Sequence, residues 1–406
     1  MSVAVDRTIK ARKPGWQQTL EQALAALPSS SRRRLRFYAP DRTGSLHPQD
    51  SATELTRPLL DLCSNDYLGL STHPQVVAAA TAELQCSGLG AGASRLVSGS
   101  RPVHKQLERM LAEWLGRERA LLFPSGFQAN IAAVCALADR HSLVLADRLI
   151  HHSLLAGVRT SGAKLQRFGH NNIHELEARL AQVRSSDPPK RVVVLSESLF
   201  SMEGTSPDIG ALVQVCHRYQ AALVLDEAHA LGVLGTGGRG LGQGHHDIAL
   251  ISGTFGKALG SGGAFLAGDA CTIEWLLQSS GAFRYTTALA PPLAAGALAA
   301  LEWIVNAHQC GEAPGPQLLA RAQRWRDGLE RAGWPRPAGH GPILPLLVGD
   351  DRRALKLQQR LEQAGLLSVA IRPPTVPEGS ARLRLVLRNG VPPGSLEQLI
   401  SALGPP

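Results

Sequence analysis

The chain has no apolar run near the ~20 residues that a membrane helix requires, so no spanning helix is expected. It has no Cys-x-x-Cys pair either. The six cysteines, Cys63, Cys86, Cys135, Cys216, Cys271 and Cys310, stand far apart and mostly in apolar surroundings. That spacing argues against a zinc or disulfide framework and for buried, reduced thiols. Lysine is scarce: only seven are present, and arginine supplies 35 of the 42 positive charges behind a net charge of +9. The densest basic cluster, "SRRRLR" at 31–36, has no interleaved aromatic residues and no nucleic-acid module around it, so no nucleic-acid partner is expected. The charge suits anionic small molecules such as phosphorylated cofactors or thioester carriers. "MSVAVDRTIKARKPGW" lacks the apolar core of a secretory signal, and Asp6 argues against a transit peptide, so a cytoplasmic location is expected.

At 406 residues the chain is long enough for a large core. From about 105 to 270 its pattern alternates helix and strand. "HKQLERMLAEWLG" (104–116) and "GFQANIAAVCALA" (126–138) have helical spacing, and a further helix is expected near 209–220. Between them lie "ALLF" (120–123), "SLVLAD" (142–147), "RVVVLSE" (191–197), "AALVLDEAH" (221–229), "ALISGTF" (249–255) and "GAFLAG" (263–268). These runs are continuously apolar rather than alternating, as in a parallel sheet covered by helices on both faces. The fold class is therefore α/β. Long helices are expected at roughly 288–309 and 315–333. The pattern then changes: "ILPLLVG" (343–349), a helix at 352–365, "SVAIRP" (368–373), "ARLRLVL" (381–387) and a helix from Ser395 indicate a smaller α+β domain. The expected division is an N-terminal segment at 1–60, a large domain at 61–300 and a small C-terminal domain at 301–406. "PPTVPEG" (373–379) reads as a rigid loop between strands, and there is no internal repeat.

Several motifs fail on inspection. "GTGGRG" (235–240) matches the dinucleotide pattern G-x-G-x-x-G, but no helical pattern follows it, so a surface loop is expected. A phosphate-binding loop around Lys257 would need glycine at position 251, which is Ile251, and a hydroxyl at position 258, which is Ala258. The pairs His151–His152 and His245–His246 lack nearby ligands at metal-site spacing, so no metal is expected.

Lys257, in "ISGTFGKALGSGGA", retains one chemical reading besides surface decoration: a covalent catalytic amine, which must be neutral to attack a carbonyl. The small neighbours Gly256, Ala258 and Gly260 would let a planar cofactor lie against the backbone. Asp226 ends the preceding apolar strand, where α/β sheets place ligands, and His229 follows three residues later. A carboxylate there can pair with the ring nitrogen of pyridoxal phosphate (PLP) and make the ring an electron sink. "FPSGFQAN" (123–130) turns a strand into a helix N-terminus that suits a phosphate, and Thr254 can add a hydroxyl.

Together, "SNDYLGLSTHP" (64–74), "AEWLGRERALLFPSGFQAN" (112–130), "ADRLIHHSLL" (146–155), "FSMEGTSPDI" (200–209), "LDEAH" and "TFGKALG" resemble the α-oxoamine synthases. These are fold-type I PLP-dependent transferases, aspartate-aminotransferase-like, which condense an amino acid with an acyl thioester and release CO2. The resemblance spans nearly the whole chain in order. It implies a large mainly parallel-sheet domain, a small C-terminal α+β domain, and a homodimer with active sites at the interface. Lys257 would hold PLP as a Schiff base and then remove the substrate's Cα proton. Asp226 would pair with the ring nitrogen, and His151 would stack on the ring and help seat the substrate. Ser201 and His229 would bond the phenolic oxygen, while Gly126, Phe127 and Thr254 would hold the phosphate. Arg372 and Thr375 fall on the substrate side, with Arg372 suited to a carboxylate. Arg34 or Arg32 would be the N-terminal substrate arginine, and Thr286 or Thr287 would reach the neighbouring subunit's phosphate.

"AIRPPTVPEGSARLRLVL" (370–387) is most similar to the branch that uses L-alanine and a pimeloyl thioester, carried by coenzyme A or an acyl carrier protein, in biotin biosynthesis. Glycine-using acyltransferases are the alternative. Departures from the family pattern are Ala230 after the histidine, Glu227 for a frequent second aspartate, His152 for a small residue, and the insert at 39–57.

Overall fold

Where the sequence runs apolar for five to seven residues, the chain forms strands buried on both faces. The computed structural model describes residues 15–28, 32, 35–41, 44–49, 57–185 and 191–406. The chain divides into two compact units, Met1–Pro58 and Leu59–Pro406. In the first, helix α1 (Gly15–Ala26) has no buried residue, and β1 (Tyr38–Pro40) pairs antiparallel with β2 (Ser45–Pro48). Arg34 and most of the 39–57 insert's second half lie outside the described residues. Arg32 donates from Nη2 to the Leu24 carbonyl at 2.7 Å.

The second unit begins with β3 (Leu59–Asp61), α2 (Pro74–Ser87) and α3 (Pro102–Leu115). It continues through β4 (Arg119–Phe123), α4 (Gly126–Leu137), β5 (Leu143–Asp147), α5 (His152–Ser161), β6 (Lys164–Phe168) and α6 (Ile173–Ser185). Then come β7 (Val192–Glu197), α7 (Ile209–Arg218), β8 (Ala222–Asp226), β9 (Ile248–Thr254), β10 (Ala264–Gly268), α8 (Ala270–Ser279) and the short α9 (Gly281–Arg284). The helices α10 (Pro291–Gln309) and α11 (Pro314–Arg331) lead to β11 (Ile343–Gly349), α12 (Asp351–Gln363), β12 (Leu366–Leu367), β13 (Val369–Ile371), β14 (Ala381–Val386) and α13 (Ser395–Leu403).

Seven strands form one sheet in the order β4-β10-β9-β8-β7-β5-β6. β10 runs antiparallel to both neighbours, whereas β5 to β9 pair in parallel. Alternate residues of each strand enter two different cores, because side chains on a strand point to opposite faces. Val144, Val193, Val224 and Leu266 pack under α4, α5 and α8, while Leu145, Val194, Leu225 and Phe265 pack against the opposite helical layer. Burial on both faces is the physical reason these strands read as unbroken apolar runs. A second sheet, β11-β14-β13, is antiparallel and covered by α12, and β12 pairs in parallel with β3. The mainly parallel large sheet and the small C-terminal α+β layer are thus both present.

The structure corrects several local expectations. The strand at 221–229 stops at Asp226, and 227–234 form turns. "GTGGRG" makes a single 3-10 turn at Thr236–Gly238 with no helix after it, as expected, although Gly238 and Gly240 are buried rather than on the surface. All six cysteines are free, but only Cys216 is buried; Cys86, Cys271 and Cys310 are exposed. Apolar neighbours in sequence did not bury them, because on a helix adjacent residues point in different directions. Among the described residues no helix is long and apolar enough to cross a membrane.

Leu145 is fully buried in the sheet. Leu145→Ala should lower unfolding stability by about 2–5 kcal/mol in urea denaturation. A loss below about 1 kcal/mol would contradict the close packing described for that layer.

Candidate active site

Parallel strands of one sheet bring their carboxyl ends to a common edge, and that edge builds the site. Register places Glu197 of β7 beside Asp226 of β8, and Asp226 beside Ser252 of β9. Lys257 follows three residues after β9 ends. A cavity of about 170 Å³ opens there. Its walls are Gly126, Phe127 and Asn130 of α4, His151 and Ser153 at the start of α5, Glu197, then Asp226, Ala228 and His229 after β8, and Thr254 and Lys257 after β9.

The α4 end of the cavity presents backbone donors. Ser125 is the extended N-cap residue, and its Oγ accepts from the Gln128 N–H at 3.3 Å. The first N–H groups of a helix have no partner within it, and its dipole favours an anion. The Thr254 hydroxyl donates to the Gly263 carbonyl at 3.0 Å and accepts the Gly256 N–H at 3.2 Å. It can therefore donate to an anion only by giving up the Gly263 bond.

Asp226 is held from two sides. Its Oδ1 accepts the Ala228 N–H at 2.9 Å and its Oδ2 accepts from Asn130 Nδ2 at 2.8 Å. Burial pushes the Lys257 amine down to about 8, opposed by the charges of Asp226 and Glu197 and aided by Arg384. The amine is thus poised between its charged and neutral forms near neutral pH. Glu197, 3% exposed, is driven the other way: burial and then the Asp226 charge raise its pKa well above the usual carboxylate range. Burial, followed by the charges of Lys257 and Arg384, keeps His229 far below the ordinary histidine value. Its Nδ1 lies 2.6 Å from the Tyr67 hydroxyl. Among the described residues no cluster of histidine, cysteine or carboxylate could hold a metal.

Lys257, Asp226, His151, His229, Gly126, Phe127 and Thr254 therefore meet around one cavity. Ser201 does not line it; this residue sits on the turn after β7, and its carbonyl accepts from Arg384 Nε at 2.7 Å. Arg372 and Thr375 stand on the loop between β13 and β14, also away from the cavity walls. Arg384 is different. It is 7% exposed, donates to Asn65 Oδ1 at 3.0 Å, and its charge bears on Tyr67, His229 and Lys257. A basic residue inside the apolar strand "ARLRLVL" was the sequence signal for it, since an arginine is rarely buried without a task. Asn130 was equally visible, as a polar residue on an alanine-rich buried helix face.

The glycine after Lys257 has a different use from the one expected. Gly260 has φ +60°, and a Cβ there would stand 2.2 Å from the Ser71 nitrogen. It admits the backbone of the "SNDYLGLS" segment rather than a ring.

The sequence model of the family described as aminotransferase class I and II matches residues 57–403. The chain is 40% identical to the 8-amino-7-oxononanoate synthase of Cellvibrio japonicus over 392 residues, 95% of this chain and 96% of that one. Among solved structures, the serine palmitoyltransferase of Sphingomonas wittichii matches with a TM-score of 0.84 and 25% identity, covering 96% of both chains. The 8-amino-7-oxononanoate synthase of Francisella tularensis matches with a TM-score of 0.70 and 26% identity, over 85% of this chain and 96% of that one.

The amine at Lys257 should titrate near its displaced value of about 8. Competitive acetylation across pH, read by peptide mass spectrometry on cofactor-free protein, should give that midpoint for Lys257. A lysine amine in a short peptide titrates near ~10.4, and a Lys257 midpoint there would contradict the environment described.

Proposed function

Because the chain belongs to the aminotransferase class I and II family, among the 8-amino-7-oxononanoate synthases, we propose that it joins L-alanine to a pimeloyl thioester in biotin biosynthesis. The products are 8-amino-7-oxononanoate, CO2 and the free thiol of coenzyme A or an acyl carrier protein. The observation that carries this reading is the meeting of an amine with a lowered pKa, a buried carboxylate and a helix N-terminus around one cavity.

That donor set fits pyridoxal phosphate. Lys257 would hold its aldehyde carbon, Asp226 its ring nitrogen, and His229 its phenolic oxygen, with Ser201 proposed as a second partner of that oxygen. Gly126 and Phe127 at the start of α4, with Thr254, would hold the phosphate. When bound, the cofactor supplies a carbonyl for the substrate amine and a ring that accepts the electrons released at Cα.

The remaining work falls to the chain's own groups. Lys257 Nζ, with a pKa of about 8, takes the Cα proton and later returns one. Asp226, fixed by Ala228 and Asn130, has both oxygens oriented before any ligand arrives, so little reorganisation accompanies charge development. His151 lies across the cavity as the ring's stacking partner. Arg384 is the buried guanidinium whose charge reaches the site, and we assign it the amino-acid carboxylate. Arg372, Thr375 and the N-terminal arginine, Arg34 or Arg32, are left for the acyl substrate.

A second copy of the chain is the proposed partner. Leu89, Val97 and Tyr285 are each more than three-quarters exposed, and the two segments that carry them are tied by the Ala288 N–H to the Ala93 carbonyl at 3.0 Å. Exposed apolar surface of this kind suits an interface, and Thr286 and Thr287 lie beside it.

Turnover of L-alanine, glycine and L-serine with pimeloyl and acetyl thioesters tests the substrate assignment. L-alanine with the pimeloyl thioester should give the highest kcat/KM; a higher value with glycine or serine would overturn it. Lys257→Ala should lower kcat at least ~10²-fold, and near-normal turnover would remove Lys257 from proton transfer.

A further inference from the structure

We propose that Ser153 and Asn130 are positioning residues that fix the tautomer of His151, so that the ring offers Nε2–H to the cavity and turns its Nδ1 lone pair to the protein. This rests on the function proposed above only for the use made of His151; the proton arrangement itself follows from the geometry.

The polarity can be read from one end of a hydrogen-bond chain to the other. Asp226 has only acceptor oxygens when ionised, so the atom of Asn130 that faces it at 2.8 Å must be Nδ2. The other side of that amide agrees, since Asn130 Oδ1 accepts from the Ser252 hydroxyl at 2.7 Å. The second Nδ2 hydrogen goes to Ser153 Oγ at 2.9 Å, which makes this oxygen an acceptor. The hydroxyl hydrogen of Ser153 is then directed to His151 Nδ1, 2.6 Å away.

A second donor converges on the same nitrogen. His151 is the N-cap residue of α5, and the Ser153 N–H donates to its Nδ1 at 3.3 Å. A hydrogen on Nδ1 would face this N–H, so the contact favours the lone pair there; at 3.3 Å it is the longer of the two links, and the Ser153 hydroxyl at 2.6 Å sets the tautomer. Asn130 is 3% exposed and Ser153 fully buried, so water does not compete for either link. Because Nδ1 already accepts, the hydrogen of the neutral ring resides on Nε2.

Burial and two of the three charges that bear on the ring favour the neutral state. Burial lowers the His151 pKa, as do the charges of Lys257 and His152, while Asp226 opposes them. Glu197 accepts a backbone hydrogen bond from His151, and its own pKa is raised well above the usual range. The consequence is chemical. A neutral ring with Nε2–H can stack and donate a hydrogen bond, but it offers no lone pair to the cavity. Lys257 is then the base at that edge of the sheet, and His151 is not.

The test is ring ¹⁵N NMR of the full chain labelled at histidine, recorded with and without added pyridoxal phosphate. There are 14 histidines, so His151 is assigned by its disappearance in His151→Asn. The wild type should show the Nε2–H pattern for His151. Ser153→Ala should shift it toward a mixture of tautomers, and Ser153→Thr, which keeps the hydroxyl, should restore the wild-type pattern. An Nδ1–H ring in the wild type, or an unchanged pattern in Ser153→Ala, would overturn the proposal. Both outcomes are read without turnover, so a failure of the alanine assay leaves this result separate.

Discussion

An amine and a carboxylate held at neighbouring strand ends, against a buried core, constrain the rest of this molecule. Removing water from Lys257 favours its neutral form, while the charge of Asp226 favours the charged one. The balance leaves the amine at about 8, well below its ordinary value. Neither group could hold its place on a mobile loop. Parallel pairing of β8 with β9 fixes the separation of the strand ends, and two buried cores on either face of the sheet fix the strands.

The groups around this pair keep their polarity through fixed partners. Asn130 and the Ala228 N–H each donate to one oxygen of Asp226, and the Tyr67 hydroxyl lies 2.6 Å from His229 Nδ1. Glu227, next in sequence to Asp226, points into the protein. It accepts from the Ser198 hydroxyl and from the backbone of Leu241 and Gly242, and a Cβ on Gly240 would stand 2.6 Å from its Oε2. The glycine-rich "GTGGRGLGQG" segment is thus shaped to close over a buried carboxyl. Burial raises the Glu227 pKa to about 7, and its three donors oppose the rise.

Strands β5, β7, β8, β9 and β10 were legible because burial on both faces leaves an unbroken apolar run. Strand β6, "KLQRF", was not, because it is the edge strand and three of its five residues are exposed. Helices α2 and α6 bury only one or two side chains each, so they carry little periodic signal. In the site, Lys257 and Asp226 could be paired in sequence because they follow adjacent strands. Arg384 could not, because β14 belongs to a different sheet and its charge bears on Lys257 only through the tertiary fold. The expectation for the substrate carboxylate rests on Arg372, an arginine on the more conspicuous proline-rich loop. The expected use of Gly260 missed for a similar reason: its neighbour Ser71 is 189 positions away in the chain.

The covalent assignment of the cofactor to Lys257 is tested by borohydride reduction of the protein loaded with pyridoxal phosphate, followed by digestion and mass spectrometry. A phosphopyridoxyl group is expected on Lys257 alone among the seven lysines. A group attached to another lysine, or no attachment at all, would contradict it.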